Sequence, residues 1–168
     1  QDKAEQKKEG ERLFSLKVAS ILESKCLACH GEEGKKVKGE FNLATREGLL
    51  KGGETADDAL VPFHPEKSLL LTAIEWKDED YEMPPKENDR LTDKQIAQVK
   101  RWIKLGAPWP NEELQKKYVL EERSKERTVD GVIVKTSGGL SEDWTYRRYK
   151  DEDIWAFQPV KKPEIPQG

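Results

Sequence analysis

The sequence predicts an all-α domain over residues 11–110, followed by a mostly irregular extension over residues 111–168 with a charged helix and a short strand pair. Three observations lead there. Apolar residues recur at helical spacing before position 26 and again from position 96 to 103. Capping residues and glycine–proline stops punctuate the segments between. The run Cys26-Leu27-Ala28-Cys29-His30 supplies something for the helices to close around.

Residues 1–10 are charged and are expected to form a disordered lead. From Leu13 the pattern changes, and Phe14, Val18, Ile21 and Leu22 share one helical face that ends in Cys26. Gly31 to Glu40 reads as a loop. Thr45 caps a short helix through Leu50, which Gly52-Gly53 stops. Pro62 and Pro65 bracket a turn, and Glu66 to Ile74 follows as an amphipathic helix with Leu69, Leu70, Ala73 and Ile74 on its apolar side. Residues 75–89 hold seven Asp/Glu against Lys77 and Lys86. The next helix starts at Thr92 or Asp93, buries Ile96, Val99, Trp102 and Ile103, and ends at Gly106 with Pro108. Phe14 and Trp102 are expected to pack together. Beyond Pro110, Leu114, Tyr118 and Leu120 mark a charged helix. Val132-Ile133-Val134 suggests a strand, which Ser137-Gly138-Gly139 breaks. Trp144, Tyr146, Tyr149, Trp155 and Phe157 then recur in a charged tail, and Pro159, Pro163 and Pro166 suggest an exit linker.

Cys26 and Cys29 are the only cysteines, and they stand in a complete CxxCH. Two thiols at that spacing can add across the two vinyl groups of one haem, with the next residue, His30, supplying a nitrogen to iron. A dithiol redox pair would normally open a helix after a strand, whereas these cysteines end a helical pattern. A zinc site would need further ligands, and the only other histidine is His64. One CxxCH implies one covalently attached haem c, with Cys26, Cys29 and His30 holding it. The second axial ligand is expected to be Met83, the single methionine, in Tyr81-Glu82-Met83-Pro84-Pro85. A thioether is a soft ligand that favours reduced iron, and Pro84 pushes Met83 toward extended backbone in a loop. His64 in its proline-bracketed turn is the alternative ligand, and an open sixth site is the third option. Arg46 is the expected donor to the haem propionates, through its multi-donor fork, with Lys51 and Arg101 behind it.

Charged residues make up 38% of the chain and hydrophobic ones 35%, with a net charge of −3. Mean hydropathy is −0.90. No concentrated Lys/Arg footprint stands apart from acidic neighbours, which argues against a nucleic-acid partner. No apolar run reaches membrane-spanning length. The chain opens Gln1-Asp2-Lys3 rather than with a methionine and an apolar run, and reads as a mature or trimmed product. Covalent haem attachment places it in the periplasm or another extracytoplasmic compartment.

With these residues assembled, the chain resembles a class I-type cytochrome c, and more closely the planctomycete-type cytochrome c domain, over about residues 11–110. The likeness rests on the Phe14-to-His30 opening, Thr45-Arg46-Glu47-Gly48-Leu49-Leu50-Lys51-Gly52-Gly53, Pro65-Glu66-Lys67-Ser68-Leu69-Leu70, Met83-Pro84-Pro85, and Trp102 through Pro110. The resemblance implies a small all-α fold around one haem and monohaem electron transfer, with His30 and Met83 as axial ligands. Members of that family favour glycine where His64 stands. Trp155-Ala156-Phe157-Gln158-Pro159-Val160 is similar to the junction from such a domain into larger bacterial multidomain proteins, often found near glycan-degrading systems.

Three functions follow from this reading. The first is a six-coordinate electron carrier or relay module, whose partner is a redox protein or an attached downstream domain. The second is a haem peroxidase or redox subunit serving glycan-degrading chemistry. The third is a haem-containing carbohydrate-binding or sensor module that uses the tail aromatics. No residue is assigned a catalytic role.

Overall fold

Phe14 and Trp102 meet at a ring-centroid distance of 5.6 Å, and Trp109 joins them at 4.4 Å from Phe14 and 6.4 Å from Trp102. This aromatic cluster joins the helical segment that carries Phe14 to the one that carries Trp102, as the two aromatic positions predict. The structure, a computed structural model, describes residues 2–31, 37–54, 59–125, 127–128, 131–133 and 148–150. The chain divides into two units, residues 1–119 and 120–168.

Helix α1 (Lys3–Leu13) occupies most of the stretch expected to be disordered. The reason is local and tertiary together. Asp2 caps it through Ala4 N–H, and Gly10 is buried where a Cβ would lie 2.6 Å from Pro108 Cγ. Glu9 also takes the Arg101 guanidinium of α6, with Nε at 3.0 Å. Only Gly10 of α1 is buried, so its own sequence carries no apolar face to find. The helix continues through a π-helical turn (Phe14–Val18), where Ala19 N–H reaches the Phe14 carbonyl, into α2 (Ala19–Lys25). Phe14, Val18, Ile21 and Leu22 are all buried, as their spacing predicts.

A short α3 (Leu27–His30) follows α2 after Cys26. Helix α4 (Arg46–Lys51) is capped by the Thr45 hydroxyl, which accepts Gly48 N–H at 3.0 Å, and stops at Gly52, φ +78°. The turn after Pro62 ends in one 3-10 turn (Pro65–Lys67) before α5 (Leu69–Ile74), so the helix starts three residues later than its periodicity suggests. Ser68 explains the delay: its hydroxyl turns inward to Val61 and His64 rather than capping α5. Helix α6 (Asp93–Lys104) opens on a reciprocal capping box between Thr92 and Gln95. It closes at Gly106, φ +92°, and Ala107, φ +48°. A Cβ at Gly106 would lie 2.4 Å from Phe63 Cζ, so glycine serves both the left-handed backbone and the ring stacked on it.

Around these elements one core gathers Leu43, Leu49, Leu60, Leu70, Leu71, Ile74, Val99 and Ile103 with the aromatic pair. Cys26, Leu27, Phe41, Leu50 and Trp109 pack on it, partly buried. Helix α7 (Glu112–Lys125) buries Tyr118, whose hydroxyl lies 3.4 Å from Glu11 and whose ring has Arg12 above it. Leu120, by contrast, stays exposed. In the second unit, the expected strand pair is a three-stranded antiparallel sheet of very short strands: β1 (Arg127–Thr128), β2 (Gly131–Ile133) and β3 (Arg148–Tyr149). Its register pairs Arg127 with Val132 and Val132 with Tyr149. The tail residues Trp144, Tyr146, Trp155 and Phe157, and the prolines after them, lie outside the described residues.

Candidate functional site

The Cys26 carbonyl accepts both Cys29 N–H at 3.1 Å and His30 N–H at 3.0 Å. That single turn puts the two thiols and the imidazole on one short stretch of backbone at the end of α2. Cys26 N–H is itself the last donor of α2, to Leu22 at 2.9 Å, so the buried face of α2 sets where the turn begins. Both cysteines are free and half-buried. Burial pushes the Cys26 thiol up to about 11, with Cys29 adding to the rise and Lys25 opposing it. A thiol held protonated this way is a poor redox nucleophile, since reactive dithiols work by lowering that value. Among the described residues no group of three or more His, Cys, Asp or Glu is placed to hold a metal ion.

His30 is oriented from behind. Its Nδ1 lies 3.0 Å from the Lys38 carbonyl and 3.2 Å from that of Phe41. Carbonyls only accept, so Nδ1 carries the proton, and in the neutral ring Nε2 keeps its lone pair. A ligand histidine needs this arrangement, because the hydrogen bond at one nitrogen aims the other. The Phe41 ring meets the imidazole edge-on at 5.8 Å, and Leu43 N–H holds the His30 carbonyl at 2.7 Å. Phe41 and Lys38 escape a reading of the sequence because they act through backbone carbonyls, which any residue type could supply.

Met83 sits beyond the end of α5. Its N–H donates to the Ala73 carbonyl at 3.1 Å, and its own carbonyl accepts the Trp76 indole N–H at 3.3 Å. The Met83–Pro84 peptide is cis. Met83 is 39% exposed, so the core does not fix its side chain. His64 is engaged elsewhere: its Nδ1 lies 3.0 Å from Glu66 at the surface. Glu66 is held below the usual carboxylate range by its own backbone N–H first and by His64 second. The left-handed backbone in this turn belongs to Phe63, φ +70°, and not to His64, φ −122°. The conformational reason for a glycine therefore falls one residue before the position the family resemblance suggests.

Arg46 spends its Nε on the Ala107 carbonyl at 3.1 Å, tying the start of α4 to the turn after α6. Arg101 is taken by Glu9, as described above. Two open surface pockets, one lined by Val61, Ser68 and Thr72 and one by Phe63, Ala97 and Lys104, include none of Cys26, Cys29, His30 or Met83.

The donor set fits covalent haem. Two free thiols flank a single turn, a histidine stands with its proton already directed to carbonyls, and Leu27, Phe41 and Leu50 add apolar surface at the core edge. No helix among the described residues is long and apolar enough to cross a membrane. Residues 26–87 match the family model of planctomycete cytochrome C. That span includes both the CxxCH and Met83, and leaves α1, α2 and α6 outside it. No curated protein and no solved structure matches the chain.

Proposed function

We propose that the planctomycete cytochrome C segment at residues 26–87 makes this chain a monohaem electron-transfer module, with His30 and Met83 as axial ligands. The observation that carries the reading is the donation of His30 Nδ1 to two backbone carbonyls, on the same turn that presents both thiols. A haem held there supplies a one-electron couple at iron. The chain supplies the rest. Each cysteine S–H would add across one vinyl C=C, giving two C–S bonds with no net oxidation and no leaving group. His30 offers Nε2, and Met83 offers a neutral sulfur that stabilises the reduced state relative to a second imidazole. Arg46, with Nε committed to Ala107, keeps its two terminal nitrogens as donors for a propionate.

With His30 and Met83 both bound to it, the iron would keep no open position for substrate, which favours electron transfer over peroxidase chemistry. The covalent attachment chemistry supports an extracytoplasmic location. The aromatic and proline-spaced tail supports a module of a longer protein, whose further domain or separate redox partner exchanges the electron.

The test is an optical redox titration of the haem-loaded protein. The ferric parent is expected to show the weak far-red sulfur-to-iron charge-transfer band. Met83→Ala is expected to lose that band and to lower the reduction potential. A band that survives Met83→Ala, or is absent from the parent, removes Met83 from the iron and makes His64 the next candidate.

A further inference from the structure

We infer that Trp76 is a positioning residue that holds Met83 in place through its backbone, with Arg90 steadying the indole. The inference rests on the reading of Met83 as the sulfur ligand. The backbone N–H of Met83 is tied to the last turn of α5 and its carbonyl to Trp76 just beyond that helix. Its N–H goes to the Ala73 carbonyl at 3.1 Å, and its carbonyl receives the Trp76 Nε1–H at 3.3 Å, from seven residues back. The Ala73 carbonyl also accepts Trp76 N–H at 3.2 Å, so a single helix end anchors the tryptophan and the methionine together. With the peptide groups on either side of its Cα fixed, Met83 is left with only its side-chain torsions.

The conformation of Trp76 makes the same point. It stands at φ +53°, in the left-handed region where glycine or asparagine costs less than an aromatic residue. The backbone of Trp76 is thus held in a costly region while its side chain is engaged at an edge and on a face. The indole is only half-buried, so core packing does not account for it. What it touches is the Met83 carbonyl on one edge and, at 4.2 Å from a ring centroid, the Arg90 guanidinium on a face. Met83 is itself exposed, and this clamp fixes the backbone from which its sulfur would reach the iron.

A clamp of this kind shows itself in competition for the sixth ligand position. In the ferric, haem-loaded protein, added imidazole displaces a thioether only when the methionine lets go. Trp76→Phe keeps a ring for Arg90 and deletes the N–H. It is expected to retain the far-red band in buffer, and to lose that band at about tenfold lower imidazole concentration, the size of one hydrogen bond. Arg90→Gln is expected to move the same midpoint in the same direction by about twofold. A role limited to global stability would lower the melting temperature and leave the imidazole midpoint where it was. That result overturns the inference. Should Trp76→Phe fail to fold, hydrogen exchange of the Trp76 indole N–H in the reduced parent decides the matter: slow exchange supports the clamp, and exchange at the rate of free indole overturns it. Failure of the underlying reading is visible separately, because Met83→Ala would then leave both the band and the imidazole midpoint unchanged.

Discussion

The Ser68 hydroxyl accepts Val61 N–H at 3.0 Å and faces the carbonyls of His64 at 3.0 Å and Val61 at 3.3 Å, and the residue is almost completely buried. One side chain thereby closes the turn that carries Phe63 in its left-handed backbone and presents His64 to Glu66. Replacing it with alanine removes little volume but leaves the Val61 N–H without its partner. That asymmetry sets the magnitude: an orphaned buried donor costs about 1–3 kcal/mol, against a net value near 1 kcal/mol for an ordinary hydrogen bond. Ser68→Ala is therefore expected to lower the unfolding free energy by about 2 kcal/mol at an unchanged denaturant slope. A loss below about 0.5 kcal/mol would mean that water reaches Val61 and the turn is less closed than its geometry.

At the scale of elements, Gly10 decides how α1 meets the end of α6. A Cβ there would lie 2.6 Å from Pro108 Cγ and 3.1 Å from Leu105 Cβ. In an isolated helix Gly→Ala gains about 1 kcal/mol, whereas forcing a methyl into packed surface costs about 1–3 kcal/mol. Proline cannot move aside as a flexible side chain does, so the steric cost prevails, and Gly10→Ala is expected to destabilise the protein in a denaturant titration. A stabilised variant would show that α1 can slide away from Pro108. This contact also shows why α1 was hidden in the sequence. The capping residues Thr45 and Thr92, the stop at Gly106 and the Phe14-to-Leu22 face are written within a few residues of where they act, and were legible for that reason. Lys3–Leu13 has no apolar face, and its helix depends on partners in α6 and on Pro108. The candidate site divides the same way. CxxCH and the isolated Met83 announce themselves by residue type. The carbonyls behind His30 and the indole behind Met83 do not, because a backbone acceptor has no sequence signature and a left-handed tryptophan reads as an ordinary one.

Across the whole molecule, charge is unevenly spread along a chain whose net charge is only −3. Residues 75–89 concentrate seven acidic side chains around Met83. Some are internally engaged: Glu75 holds Lys77 at 2.7 Å, and Asp78 caps the turn at Asp80 N–H. Glu79 and Asp80 are exposed and, like Glu87 and Asp89, make no such side-chain contact among the described residues, and they are the exposed pair nearest Met83 on the side toward α5. If the electron leaves beside the Met83 loop, this edge acts on whatever approaches. Exposed charges act over a Debye length of about 8 Å at physiological salt, so the effect belongs to association rates and fades with ionic strength. The double variant Glu79→Gln, Asp80→Asn is expected to slow electron exchange with a cationic metal-ammine complex at low salt and to speed exchange with an anionic hexacyanide. The two rates should converge on those of the parent as salt is raised. With both reagents used as oxidants of the reduced protein, opposite signs are the decisive feature, because a change in reduction potential or in folding would then move both rates the same way. Equal rates for variant and parent with both reagents would put the point of electron exit away from the acidic edge, even with Met83 on the iron.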